Sequence, residues 1–222
     1  MKILVVAAHP DDEVLGCGGT IARHVSEGDE VYCLILGDGI TARDLDKKEA
    51  TVQLKQLKEH AKKSAKILGI KEIYFNGYKD LYFDTIPLLE IVKCVEKYKT
   101  QIQPDIIYTH HYGDLNIDHQ ITFKAVLTAT RPMDKETVKT IYSFEVPSST
   151  EWTFNNSFKP NVFVDVEGMM DKKNKAFHCY KTETRLFPHP RSFVNLIFTA
   201  SKWGSLVNLQ SVEAFELIRE IR

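Results

Sequence analysis

The chain has 222 residues, 43% of them hydrophobic and 27% charged, with 29 basic against 30 acidic side chains and a formal net charge of −1. That is enough chain for one domain with a sizeable core, and the even charge balance excludes a general pull toward nucleic acid or anionic membrane. The four cysteines, Cys17, Cys33, Cys94 and Cys179, are widely spaced and form no CxxC pair, so they read as reduced, mostly buried thiols of a cytoplasmic protein.

Residues 2–8, KILVVAA, form an apolar run without alternation, the pattern of a strand covered on both faces. Lys2 followed by ILVVAA begins like a secretory signal, but the run is short and ends in charge, so it reads as a first strand. Residues 13–27 carry apolar side chains at helical spacing and close on Gly28. EVYCLIL at 30–36 is a second strand, and GDGITARD follows as a loop. The long Lys-, Glu- and Leu-rich segment 44–68 is a helix stopped by Gly69. KEIYFN at 71–76 is a third strand, and 85–99 a helix with Pro87 in its first turn. PDIIYT at 104–109 is a fourth strand, and 118–130 a helix ended by Pro132. TIYSFEV at 140–146 is a fifth strand and NVFVDV at 161–166 an edge strand. The tail reads as a helix near 168–182, an irregular RLFPHPRS loop and a last helix near 209–221. No stretch approaches the roughly 18 apolar residues of a membrane span.

Strand and helix alternate four times, which predicts right-handed crossovers and a parallel sheet. The fold class is α/β: a Rossmann-like three-layer α/β/α arrangement with strand order 3-2-1-4-5. The whole chain, 1–222, reads as one domain, with 1–146 as the Rossmann-like core and 147–222 as a C-terminal appendage on the sheet.

In such a sheet the ligand site lies beyond the carboxyl ends of the strands, where strand order reverses, here between strands one and four. Two loaded segments fall there: His9-Pro10-Asp11-Asp12-Glu13 after the first strand, and HHYGDLNIDH, His110 to His119, after the fourth. Acids crowded as in the first segment repel one another and are costly to desolvate, so a positive group is expected among them. His9 and Asp12 can face one point across a tight turn, and His119 can face it from across the crevice. Two imidazoles and a carboxylate leave a coordination place open for water, the pattern of catalytic zinc, which brings that water's pKa near neutral. Asp11, beside Asp12 but pointing elsewhere, is the natural general base. Each residue alone has a plainer reading: a structural histidine at a strand end, two acids capping a helix, a surface histidine. The two clusters at adjacent strand ends favour the metal. His24, His60 and His178 fall mid-helix, and His110 and His111 stand close enough to line the site. Gly16-Cys17-Gly18-Gly19 lacks the spacing of a dinucleotide loop and follows acids where phosphate would come, so its glycines read as packing positions for the first helix.

AHPDDE followed by GCGGT, with the later DLNIDH, resembles the PIG-L (LmbE-like) family of zinc-dependent N-deacetylases, which act on N-acetylglucosamine-type sugars. LGDGITAR at 36–43, EHAKKSAKILG at 59–69, DLYFDT at 80–85, CYKTE at 179–183, PHPRS at 188–192 and EAF at 213–215 extend the resemblance along the chain. It implies Zn2+, or another divalent metal, on His9, Asp12 and His119, with Asp11 as base and Asp118 supporting the machinery. Arg43 and Asp80 match sugar-binding positions. Asp114 and Arg191 join them as substrate-binding candidates. Many members carry histidine where this chain has Asn116. Asparagine can donate to an oxyanion but cannot shuttle a proton, so Asp11 acting first as base and then as acid is the simplest repair.

The expected activity is therefore removal of an N-acetyl group from a small amino sugar or its conjugate. The alternatives are zinc amide hydrolysis on a non-sugar N-acyl substrate, and a non-catalytic metal- or sugar-binding protein, which has no need of Asp11. Association into a homo-oligomer is left open, since no stripe in the sequence demands it.

Overall fold

β1 (Lys2–Ala7) is buried from Ile3 onward. Its residues alternate between two cores: Ile3, Val5 and Ala7 face one layer, Leu4 and Val6 the other. A continuous apolar run is what two covered faces require. The computed structural model of the protein describes residues 1–44, 46–155 and 157–222; residue 45, inside the helix expected from 44, lies outside them.

Along the chain follow α1 (Asp12–Ser26), β2 (Glu30–Gly37), α2 (Lys47–Leu68), β3 (Glu72–Tyr78), α3 (Leu88–Ile102), β4 (Ile106–His110), α4 (Ile117–Ala129), β5 (Thr140–Phe144), β6 (Val162–Asp165), α5 (Met170–Phe177), α6 (Phe193–Leu206) and β7 (Val212–Glu220). The helix ends obey local chemistry. Asp46 and Glu49 form a capping box at the start of α2, and Gly69 closes it at φ +85°. The sheet has seven strands in the order β3-β2-β1-β4-β5-β7-β6. The first five run parallel, and β7 lies antiparallel to both β5 and β6. Helices α1, α2 and α5 pack together on one face, and α3 and α4 on the other. Three layers and the order 3-2-1-4-5 are as expected. β1 and β4 are neighbours, so the loops after them meet.

The tail departs from expectation. Residues 209–221 were expected to form a helix, and instead hold β7, inserted between β5 and β6. Glu, Ala, Leu and Arg favour helix locally, but pairing on both sides overrides propensity. Two inward acids hid the strand pattern. Glu213 accepts from Gly19 N at 2.8 Å, Thr20 N at 2.6 Å and Lys173 Nζ at 2.6 Å. Glu216 faces His111 Nδ1 at 3.0 Å. The Glu213 carboxylate serves a break in α1 at Cys17 (φ −145°, ψ 23°), capping the half-helix that resumes beyond it. Gly16 is needed just before the break, because a Cβ there would fall 2.3 Å from the Phe144 ring. The helix expected near 168–182 shortens to α5, preceded by a 3-10 turn at Glu167–Met169. Helix α6 was not foreseen; it starts where the RLFPHPRS loop ends, with Ser192 Oγ accepting from Asn195 N at 3.1 Å. Among the described residues no helix is long and apolar enough to cross a membrane.

Candidate active site

The end of β1 delivers His9, and the turn after it delivers Asp11 and Asp12. Asp11 adopts φ +110°, a left-handed conformation costly for a residue with a Cβ. Three contacts hold it there: its N–H donates to Glu13 Oε2 at 3.0 Å, its carbonyl accepts from Leu15 N at 2.9 Å, and its carboxylate accepts from Arg191 Nη1 at 2.9 Å. The other Glu13 oxygen accepts from the Tyr180 hydroxyl. Glu13 is fully buried, and burial raises its carboxyl to about 7, against the pull of Tyr180 and the Asp11 N–H.

His9, Asp12 and His119 converge in the buried crevice between β1 and β4, with one donor atom from each lying within 4.8 Å of the others. His9 Nδ1 is 3.4 Å from Asp12 Oδ2, and His119 Nε2 is 3.3 Å from the same oxygen. Asp12 Oδ1 and both His119 nitrogens are buried without an aligned hydrogen bond. Orphaned polar atoms of this kind are costly unless another group completes them. A second donor set, His9 with Asp80 and Asp118, lies on the other side of the His9 ring. A neutral imidazole has one lone pair, so it serves only one set. Asp118 is already an acceptor: Oδ2 takes Leu81 N at 2.7 Å and Oδ1 takes Phe83 N at 3.1 Å. When the ring is neutral, His9 Nε2 carries the proton, given to Asp118 at 3.0 Å with Asp80 at 3.1 Å, and Nδ1 turns its lone pair toward Asp12. His119 repeats the pattern, with Nδ1 3.2 Å from Asp114 Oδ1 and Nε2 free toward Asp12. Ligand imidazoles are oriented by such outer carboxylates. Two imidazoles and a carboxylate of this kind suit zinc or a similar divalent ion.

Electrostatics follow the same division. Burial opposes charge on His119, but Asp12 and Asp114 outweigh it and raise the ring to about 9. His9 is raised in the same way against burial by Asp118, Asp12 and Asp80. For Asp12 burial is outweighed by His119, His9 and His110, which hold it well below the usual carboxylate range. Asp11 goes the other way: burial pushes it well up, and Arg191 only partly offsets this. Two adjacent aspartates are thus driven apart, one made the weaker base and suited to ligation, the other the stronger base.

The remaining candidates are placed as follows. Asp80 lies at the edge of the crevice, beside His9. Asn116 caps α4, its Oδ1 accepting from Asp118 N at 2.9 Å, which leaves its amide N–H as the donating end. Arg43 is half-buried and pairs with Glu183 Oε1 at 2.7 Å. Arg191 reaches the site from the tail, anchored by Ser148 Oγ at 2.8 Å. Asp114 is buried and is held by His119, Ser149 and the Thr150 hydroxyl. It stands behind His119 rather than in the cleft, a position that suits orienting the ring rather than touching a substrate.

Four participants were given no role by the sequence: Glu13, Tyr180, Glu183 and Lys173; His110, expected close enough to line the site, is a fifth whose part the structure defines. His110 stacks on His119 with centroids 3.9 Å apart and accepts the Ala8 N–H at 2.8 Å, so it fixes the floor of the crevice. Burial lowers its pKa, and it stays neutral. Glu13 stood inside the first motif, but its work depends on Tyr180, 167 residues away, and no local pattern announces that.

Comparison with known proteins sets this geometry in context. The family model for PIG-L, GlcNAc-PI de-N-acetylase, matches residues 4–130. The diacetylchitobiose deacetylase of Thermococcus kodakarensis is 30% identical over 194 residues, 82% of this chain and 70% of that protein. The 4-oxalmesaconate hydratase of Pseudomonas putida is 28% identical over 204 residues, 84% of this chain and 75% of that protein. Among solved structures, N,N'-diacetylchitobiose deacetylase from Pyrococcus horikoshii, in complex with an inhibitor, shares the fold with a TM-score of 0.79 at 22% identity, over 98% of this chain and 84% of that one.

Proposed function

The chain belongs to the PIG-L family, and we propose that it is a metal-dependent hydrolase removing the N-acetyl group from an N-acetylglucosamine-type sugar or its conjugate. The observation that carries this reading is the buried convergence of His9, Asp12 and His119, with unsatisfied donor atoms turned toward one another beside an aspartate strained into position. A divalent ion held by those three residues, zinc by the chemistry of the set, would supply Lewis acidity to the amide carbonyl and acidify a water molecule. Asp11, its pKa raised by burial, takes a proton from the attacking water and returns it to the departing amine. Arg191 keeps the Asp11 carboxylate turned into the cleft. Asn116 donates its amide N–H to the oxygen that becomes negative. Asp118 and Asp114 hold the two histidines in their ligating tautomers. Asp80 and Arg43 meet the sugar hydroxyls.

Residues 1–222 act as one domain in this reading, because β7 from the tail lies inside the sheet. Four unpaired cysteines suit a reducing cytoplasm. The test is acetate release from a panel of N-acetylglucosamine derivatives, with and without chelator, beside elemental analysis of the purified protein. Chelator-sensitive release with about one metal per chain supports the reading, and no release from any amide rejects it.

A second reading has its own support in the hydratase relative. The same cradle could add water to an unsaturated carboxylate gripped by Arg43 and Arg191. Loss of ultraviolet absorbance from such an acid, without acetate release from any sugar, would select it.

A further inference from the structure

The two histidines at the end of β4 turn in opposite directions. His110 stacks on His119 at the crevice. His111 turns toward β7 and the loop between β5 and β6, and it is fully buried. Nothing in the chemistry of the metal cradle uses it. Both of its nitrogens are engaged: Nδ1 lies 3.0 Å from Glu216 Oε2, and Nε2 lies 3.0 Å from Ser157 Oγ. Ser157 stands 46 residues from the histidine and Glu216 stands 105 away, so only the folded chain assembles the three.

The proton positions follow from the partners. An ionised carboxylate only accepts, so His111 Nδ1 carries the ring proton and Nε2 offers its lone pair to the serine hydroxyl. The ring stays neutral, because burial lowers its pKa against the pull of Glu216 and Asp114. A carboxylate that fixes an imidazole, and an imidazole that accepts from a serine, are the parts that make a hydroxyl nucleophilic. The surroundings keep them together. A Cβ at Gly113 would fall 2.5 Å from Ser157 Oγ and 2.9 Å from His111 Nε2, so only glycine there lets hydroxyl and ring meet. Lys159 N donates to the other Glu216 oxygen, and the Phe158 ring meets His111 edge-on at 5.3 Å. The Gly113 carbonyl, 3.2 Å from Ser157 Oγ, competes for the hydroxyl proton and marks the resting position. Ser157 is half-buried and lines a cavity of about 180 Å3 with Thr150, Phe154, Phe158, Lys202 and Trp203. The N–H of Phe158, next after the serine, has no acceptor among the described residues. A backbone donor one residue beyond a nucleophile is where serine hydrolases place an oxyanion.

We propose that Ser157, His111 and Glu216 form a second hydrolytic centre, independent of the metal cradle, that takes short-chain carboxylic esters. Ser157 Oγ bonds to the ester carbonyl carbon as its proton passes to His111 Nε2. The bond from that carbon to the alcohol oxygen breaks, and the alcohol leaves with the proton. Water then splits the acyl-serine by the same route, which releases the carboxylic acid and restores the hydroxyl. Glu216 is a positioning residue throughout, since it touches only the ring. The size of the cavity admits an acyl group of a few carbons, and Phe158 and Trp203 give it apolar walls. No residue of the cradle takes part, so the proposal stands apart from the amino-sugar reading.

The test treats the full chain, with and without chelator, with an alkyl fluorophosphonate and with p-nitrophenyl acetate. One adduct is expected, mapped to Ser157 by peptide mass spectrometry, together with p-nitrophenol release that the chelator leaves intact. Ser157→Ala removes only the hydroxyl; it should abolish the adduct and lower release at least about tenfold. In Glu216→Gln, with its fold checked by circular dichroism, labelling should slow at least about tenfold. The pH midpoint of labelling should also fall, because the Glu216 charge no longer supports the His111 pKa. Ser157→Cys gives an independent measurement: next to His111 its thiol should be alkylated by iodoacetamide with a midpoint well below the ordinary value of about 8.5. No adduct at Ser157, or labelling equally fast in Glu216→Gln, overturns the proposal and leaves the three residues as a tie between the loop and the sheet. Ester cleavage that disappears with the chelator also overturns it and assigns the cleavage to the metal cradle. A thiol of ordinary midpoint in Ser157→Cys does the same, since the imidazole would then not act on the group at that position.

Discussion

The first 130 residues and the tail build the same site by different means. His9, Asp12 and His119 stand at the end of a strand and the starts of two helices, so regular backbone aims them. Glu183, Arg191, Tyr180, Lys173 and Glu213 arrive from the tail as single side chains reaching across the molecule, and they hold what the first half aims. The chemistry is concentrated in a short motif, and its rigidity comes from elsewhere in the chain.

That division can be broken experimentally. Removing a donor from the cradle has the largest expected effect: His119→Ala should abolish metal retention by elemental analysis and lower acetate release by about three orders of magnitude or more. Asp11→Asn should keep the metal and lose about 10²–10⁴ in kcat; simultaneous loss of metal would show that Asp11 belongs to the cradle. In the tail, Arg191→Ala leaves the buried Asp11 carboxylate without its cation, and a stability loss of about 2 kcal/mol in urea unfolding is expected together with a lower kcat. Asp114→Asn should weaken metal affinity about 10- to 100-fold while the ligands stay in place.

Two pH dependences sharpen the contrast. His119 must lose a proton held up to about 9 before it can ligate, so metal affinity should rise with pH toward 9 and weaken as pH falls, with protons released on binding. Competition titrations at several pH values measure it. The smallest effect concerns Glu13, whose folded pKa of about 7 lies above the ordinary 4.5. A raised pKa means that this group's contribution to stability is full below about 4.5 and is lost as pH rises through 7. Glu13→Gln should therefore lose less thermal stability than the parent between pH 5 and pH 8.

How much could be read in advance follows the same line. β1 through β5 were legible because unbroken apolar runs between helical patterns admit little but a parallel sheet, and the switch point then brought two motifs together. β7 was illegible because its buried acids, Glu213 and Glu216, are satisfied only by partners far away in sequence. Asp114 is hard to place from the sequence for a related reason. An acid in a loaded loop looks like a substrate contact until Ser149 and Thr150, 35 and 36 residues further on, are seen to hold it behind His119.

The position of β7 also sets an order of events during synthesis. β6 is made before β7 but pairs with the sheet only through it. A ribosome that has released residues 1–211 has therefore produced β5 with one bare edge and β6 with no partner, and α1 still lacks the carboxylate that caps its second half. Bare edges of this kind invite pairing with other chains. The nascent protein thus stays exposed to aggregation until β7 has emerged, and that same strand joins β6 to the sheet and secures the helix that follows the Asp11-Asp12 turn.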